Sequence, residues 1–127
     1  LISYILSMAH KQVVYYPDAR GKTPALEFLF TLDQADQQKV FAYISYLEER
    51  GEALRRPIAD YLGDKLYELR PKQLRILYAF VGKSYAVILH AFRKKTGVVP
   101  PKEKQLAHTR LADFVQRYEK GLISIKG

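Results

Sequence analysis

Runs of apolar and β-branched residues, separated by polar turns, predict four β-strands at residues 12–16, 65–70, 74–81 and 85–93. The last two runs are almost wholly apolar, as expected for central strands that are covered on both faces. Gly82-Lys83, which lies between them, is typical of a two-residue hairpin with a type II′ turn. Residues 52–64 contain Pro57 and Gly63 and have no clear period, so we interpret them as a loop.

Apolar positions at helical spacing predict three helices. A Thr-Pro pair at residues 23–24 is typical of a helix start, and this helix runs to about residue 32. Asp33 or Asp36 caps a second helix, which ends near residue 50 just before Gly51. A third amphipathic helix covers about residues 102–120.

The order strand, helix, helix, strand, strand, strand, helix predicts an α+β fold. We expect the last three strands to form an antiparallel meander with the helices packed on one face: a helical hairpin and a C-terminal helix. Residues 8–121 are interpreted as a single domain and residues 122–127 as a tail. Residues 1–7 precede Met8 and make a poor signal peptide, so we interpret them as a non-native or misannotated extension.

The charge of the chain points to a polyanionic partner. The 127 residues carry a formal net charge of +8, and a basic domain of this size favours nucleic acid. The positive charge is unevenly distributed along the chain. Residues 17–64 hold six basic and nine acidic residues, whereas residues 65–110 hold eleven basic and two acidic residues. Cysteine is absent, which fits a reducing, cytoplasmic location, and no apolar run approaches the roughly 20 residues of a membrane helix.

Basic residues at the predicted strand ends form a candidate site. In an antiparallel meander the end of the last strand returns beside the turn between the first two, which brings Arg93-Lys94-Lys95 towards Arg70 and Arg75. Metal-free RNA cleavage needs a proton acceptor, a proton donor and cations that stabilise the phosphoryl oxygens. A plain phosphate-binding cluster would carry the same residues. The residues predicted to bind RNA around this site are Lys72, Arg93, Lys102 and Lys104.

Other candidate chemistry is limited. Glu68 could be a general base, or equally the salt-bridge partner of Arg70 or Arg75. The three histidines share no metal-ligand spacing with carboxylates, so neither a metal nor a small-molecule cofactor is predicted. His90 lies inside an apolar strand, and we interpret it as a hydrogen-bonded core residue.

Three segments together resemble the phage-derived branch of the HigB toxins, within the RelE superfamily: LYELR at 66–70, RILY at 75–78 and ILHAFRKKT at 88–96. The resemblance covers roughly residues 11–120. It implies a RelE-like fold and a ribosome-dependent, metal-independent mRNA endoribonuclease that is inhibited by a helix-turn-helix antitoxin. It also places catalytic basic groups at Arg70, Arg75, Lys94 and Lys95.

The chain departs from this pattern at one point. Several RelE relatives carry a tyrosine or histidine just after the last strand, whereas residues 94–107 contain neither. Either the lysines take that role or the nuclease is weak or inactive. Two alternatives therefore stay open: a noncatalytic RNA- or ribosome-binding regulatory protein of the same fold, and a phage regulatory protein that acts through protein contacts alone.

Overall fold

A computed structural model of the chain describes residues 10–95 and 97–123. The predicted extension at residues 1–7 and the last four residues of the predicted tail lie outside this part of the chain. The elements are β1 (Gln12–Tyr15), α1 (Pro24–Phe30), α2 (Gln34–Arg50), a short 3₁₀ turn (Gly51–Ala53), β2 (Ala59–Gly63), β3 (Leu66–Leu69), β4 (Leu74–Val81), β5 (Tyr85–Arg93) and α3 (Pro101–Glu119). The predicted α+β class is confirmed.

The strands form one mixed sheet in the order β1-β5-β4-β3-β2. Strands β3, β4 and β5 pair antiparallel, which confirms the predicted meander, and β1 pairs parallel with β5. The predicted two-residue turn between β4 and β5 is wrong, because Val81 pairs with Tyr85 and leaves three residues in the loop. Gly82 has a φ of 64°, which a residue with a side chain rarely adopts.

Strand β2 lies in the segment that the sequence analysis interpreted as a loop, so that interpretation is wrong. The turn that joins β2 to β3 is formed by Asp64 and Lys65, with φ values of 50° and 70°, in place of the usual glycine or asparagine. A register shift between Tyr61 and Gly63 also breaks the alternation of the strand. The local sequence therefore lacks both usual signals of a hairpin, which are a glycine or asparagine in the turn and a regular alternation along the strand.

The helices begin and end close to the predicted residues. Asp33 is the N-cap of α2, and its side chain accepts a hydrogen bond of 2.8 Å from the backbone N–H of Asp36. Thr23 occupies the N-cap position of α1, although its side chain makes no capping hydrogen bond. In the described part of the chain, no helix has the length and apolar character needed to cross a membrane.

The two faces of the sheet are covered by different helices. Helices α1 and α2 pack on one face through residues such as Leu29, Val40 and Leu47. Helix α3 packs on the opposite face through Ala107 and Phe114. The expectation that all helices pack on one face is therefore wrong for α3. The cause is that β4 and β5 are apolar on both faces, and each face must be covered.

A β-bulge in β5 determines which side chains point towards α3. Leu77 pairs with His90 but the next residue, Tyr78, pairs with Ile88, so Leu89 is an extra residue in β5. The carbonyl of Leu89 accepts a hydrogen bond of 2.8 Å from the Arg110 guanidinium of α3. Beyond the bulge the alternation of β5 is shifted by one residue, so each later side chain of β5 lies on the face opposite to the one expected from simple alternation.

Candidate functional site

A cleft of about 150 Å³ opens on the α3 face, at the end of the sheet where β3 ends and β4 begins. Its walls come from β2, β3, β4, the segment after β5 and the first turn of α3. Five basic side chains and two acidic ones line it: Arg56, Arg70, Arg75, Lys94, Lys104, Asp60 and Glu68. The cleft is therefore a cationic pocket built from residues far apart in the sequence.

The carboxylate of Glu68 lies at the base of the cleft and is only 3% exposed. Its Oε2 accepts a hydrogen bond of 2.6 Å from Nη1 of Arg70, and its Oε1 lies 3.6 Å from Nε of Arg75. Oε1 has no hydrogen-bond partner among the described residues. This geometry supports the salt-bridge interpretation of Glu68, since its carboxylate lies between the guanidinium groups of Arg70 and Arg75.

Arg75 is buried beside Glu68 on β4 and is held rigidly. Its Nη1 donates to the carbonyl oxygens of Lys72, at 3.0 Å, and Leu74, at 2.7 Å. Burial lowers the pKa of its guanidinium, while the Glu68 carboxylate opposes that effect. Because Nη1 and Nε face groups inside the protein, Arg75 orients Glu68 and the turn before β4 as well as lining the cleft.

Arg70 is the more accessible of the two arginines. Its side chain is 26% exposed, and only Nη1 is engaged by Glu68. A guanidinium can present two parallel N–H donors to a phosphate, and here the ion pair with Glu68 fixes its orientation. Lys94 and Lys104 line the same cleft from the end of β5 and from α3. The structure thus brings Arg70, Arg75, Lys94 and Lys104 together.

The other predicted residues do not line the cleft. Lys72 Nζ lies 3.6 Å, and Arg93 Nη2 lies 3.7 Å, from the carboxylate of Asp36, which is on α2 and faces the opposite side of the sheet. Lys95 and Lys102 are exposed outside the cleft lining. The cleft therefore gives no support for RNA contacts by Lys72, Arg93 and Lys102 or for a catalytic role of Lys95, and these assignments stay predictions.

Two charged residues of the cleft, Arg56 and Asp60, were missed by the sequence analysis, because they belong to the segment interpreted as a loop. Asp60 on β2 accepts hydrogen bonds from Arg56 of 2.7 and 3.0 Å. These hydrogen bonds lower the pKa of the Asp60 carboxyl group. The available signal was the apolar–polar–apolar run Ala59-Asp60-Tyr61, which Leu62 interrupts, and three residues are too few to identify a strand.

His90 and Glu103 form a separate polar pair between β5 and α3. Nε2 of His90 lies 3.4 Å from Oε1 of Glu103, without the alignment of a hydrogen bond, and the imidazole stacks on Phe92 with a centroid distance of 5.3 Å. Burial lowers the pKa of His90, and the Glu103 carboxylate opposes this shift. His90 is thus a largely buried residue, but the predicted hydrogen bond is not made within the described residues.

The larger cavities lie elsewhere. A groove of about 740 Å³ runs between α3, the turn before β3 and the end of β4, with Leu111, Val115 and Tyr118 in its wall, and it holds none of the predicted site residues. Among residues 10–95 and 97–123, no three His, Cys, Asp or Glu side chains gather in a metal-binding cluster. The clustering of cations therefore identifies the small cleft, and not the largest groove, as the candidate site.

The mixed sheet, with a helical hairpin on one face and a C-terminal helix on the other, is an α+β fold that is consistent with a RelE-like protein. The chain belongs to the family of phage-derived Gp49-like proteins (DUF891), whose sequence model matches residues 27–112. This family is of the RelE-like toxin type. The matched region contains every basic residue that lines the cleft. No curated protein matches the chain.

Proposed function

We propose that the chain is the toxin of a type II toxin–antitoxin pair, of the HigB branch, and that it cuts messenger RNA on the ribosome in the cytoplasm. The family membership supports the class of protein. The observation that carries the activity is the geometry of Arg70, which lies at the cleft opening, oriented by the buried Glu68, with Lys94 and Lys104 on the same cleft.

The chemistry that fits these residues is transfer of the phosphate to the 2′-oxygen of the same nucleotide. The 2′-oxygen forms a bond to phosphorus and loses its proton, and the bond from phosphorus to the 5′-oxygen breaks as that oxygen gains one. The Arg70 guanidinium stabilises the additional negative charge on the phosphoryl oxygens. Lys94 and Lys104 carry out the two proton transfers: one of them, as a free amine, accepts the 2′-hydroxyl proton, and the other, as an ammonium, donates a proton to the 5′-oxygen. Glu68 and Arg75 are positioning residues.

A second function is favoured by one feature of the cleft. No tyrosine or histidine is among the side chains that line it in the described part of the chain. A cationic cleft without such a group could bind the RNA backbone and leave it intact. The alternative is therefore a noncatalytic RNA- or ribosome-binding regulatory protein of the same fold.

The products of a translation reaction distinguish these two functions. We expect the protein to cut a defined messenger during translation and to leave a 5′-hydroxyl and a 2′,3′-cyclic or 3′-phosphate, since the 2′-oxygen is the nucleophile. A single 2′-deoxynucleotide at the cut position should abolish cleavage there. Primer extension and end-group labelling measure both results. Binding to ribosomes with an uncut messenger would establish the noncatalytic alternative.

The partner that we propose is a folded helix-turn-helix antitoxin that packs on the outer surface of α1 and α2 and keeps the toxin off the ribosome. Phe30 is 61% exposed on this surface, and the Phe41 ring lies 6.0 Å from it. Exposed aromatic side chains are the usual anchors of protein interfaces. The surface lies on the face of the sheet opposite the cleft, so binding there leaves the cationic residues uncovered.

Antitoxin affinity across a salt series tests this arrangement. The variant Arg70→Ala/Lys94→Ala/Lys95→Ala should bind the antitoxin with nearly unchanged Kd and salt slope, because none of these cations is in the proposed interface. Phe30→Ala should weaken binding by about tenfold or more. A large affinity loss and a flattened salt slope for the triple variant would show instead that the antitoxin masks the cleft.

A further inference from the structure

A row of aromatic rings crosses the sheet on the face covered by α1 and α2, and it ends at an exposed tyrosine. Tyr61, Tyr67 and Tyr78 are neighbours in register on β2, β3 and β4. Their ring centroids lie 4.8 Å and 5.4 Å apart. Tyr78 is buried, whereas Tyr61 is 55% exposed at the open edge of the sheet. The inner rings thus support an outer ring that no other side chain covers fully.

The Tyr61 ring forms one wall of a cavity of about 420 Å³, beside the 3₁₀ turn. Its hydroxyl oxygen accepts a hydrogen bond of 3.2 Å from the backbone N–H of Lys65, which restrains the ring. On the other side, the Arg55 guanidinium donates to the carbonyl oxygens of Glu52 and Leu54. A restrained aromatic ring and a restrained guanidinium therefore border the same cavity, which Glu52 also lines. One oxygen of the Glu52 carboxylate, Oε1, is paired with Lys11 Nζ at 3.0 Å, which leaves the other oxygen as the acceptor.

This cavity is adjacent to the cationic cleft. Asp60 lines both, because β2 is the edge strand and its residues separate the two. Arg56, paired with Asp60, lies in the cleft just across that strand. A polynucleotide strand with one phosphate in the cleft can therefore pass over the edge of β2 and place the neighbouring nucleotide against Tyr61.

We propose that the cavity beside Tyr61 binds an unpaired nucleobase of the RNA whose phosphate occupies the cleft. This inference rests on the proposed function. Every base has a π-face that stacks on an aromatic ring, and the Arg55 and Glu52 side chains offer a donor and an acceptor to its polar edge. Tyr61, Arg55 and Glu52 are thus binding residues for the nucleotide next to the cleft, and they give the protein a means of preferring one base there.

The test measures the affinity of the full chain for a short single-stranded RNA that carries 2′-O-methyl groups and cannot be cut, at low salt, by fluorescence anisotropy. We expect Tyr61→Ala to raise Kd by about 5- to 100-fold, the range that corresponds to losing one stacked base. Tyr61→Phe should stay within about threefold of the unchanged protein, since it keeps the ring. Tyr46→Ala, which removes another partly exposed tyrosine on α2, is the matched control and should have no effect.

Removal of single bases from the RNA identifies the nucleotide concerned. An abasic nucleotide at one position should weaken binding to the unchanged protein and have no further effect on Tyr61→Ala, because both changes remove the same stacking contact. Equal Kd values for Tyr61→Ala and the unchanged protein, or no measurable RNA binding by the unchanged protein, would overturn this inference. The proposed function is judged separately, by cleavage of translated messenger, so the two can fail independently.

Discussion

Arg70→Ala is expected to lower the rate of messenger cleavage by about 10²- to 10³-fold, an amount typical of losing one donor that stabilises the charge of a transition state. Arg70 lies at the cleft opening, and its side chain is fixed by a hydrogen bond of 2.6 Å to Glu68. Single-turnover cleavage on stalled ribosomes gives the rate. Arg70→Lys should recover only part of it, because an ammonium lacks the planar pair of donors.

Arg93→Ala is the matched comparison, since it removes the same charge from the same end of the sheet, and it also tests the RNA contact predicted for Arg93. The Arg93 guanidinium lies 3.7 Å from Asp36 on the face opposite the cleft, so we expect a rate loss below about threefold. Circular dichroism should show both variants folded. A rate loss as large for Arg93→Ala as for Arg70→Ala would mean that general charge, and not the cleft, supports cleavage. That result would contradict the assignment of Arg70.

Glu68→Ala is expected to lower the free energy of unfolding by about 3 kcal/mol or more, because it leaves the buried Arg75 guanidinium without its carboxylate. The same change should reduce cleavage, since Arg70 loses the partner that orients it. Urea denaturation measures the stability. Glu68→Gln, which keeps the shape and can still accept a hydrogen bond from Arg70, should lose less stability than Glu68→Ala.

The double variant Glu68→Leu/Arg75→Met separates stability from activity. Replacing both buried charges by apolar residues should restore most of the stability that Glu68→Ala loses, since neither fully buried charge remains and the Arg70 side chain, which is 26% exposed, can be solvated. It should not restore cleavage, because Arg70 still lacks its carboxylate.

A positioning role for Glu68 also predicts that Glu68→Gln changes the cleavage rate without removing the acid limb of the pH–rate profile. Loss of that limb would instead identify Glu68 as the general base.

The main elements of this fold could be predicted because their signals are local. The caps of α2 at Asp33 and Gly51 and the apolar runs of β4 and β5 all lie within a few residues of what they specify. β2 could not be predicted, because its turn uses Asp64 and Lys65 at positive φ and because its pairing with β3 stabilises it. That pairing also brought Arg56 and Asp60 into the site.

The sequence by itself determined the α+β order, the concentration of positive charge in residues 65–110 and the meeting of several basic residues at one end of the meander. Only the tertiary structure decided which of those residues share a face. Simple alternation along β5 from Ile88 would put Arg93 on the α3 face and Lys94 on the other. The bulge at Leu89, whose carbonyl is bound by Arg110, shifts the alternation by one residue. Lys94 therefore lines the cleft while Arg93 pairs with Asp36, because the register depends on a bulge that appears only in the pairing of β5 with β4.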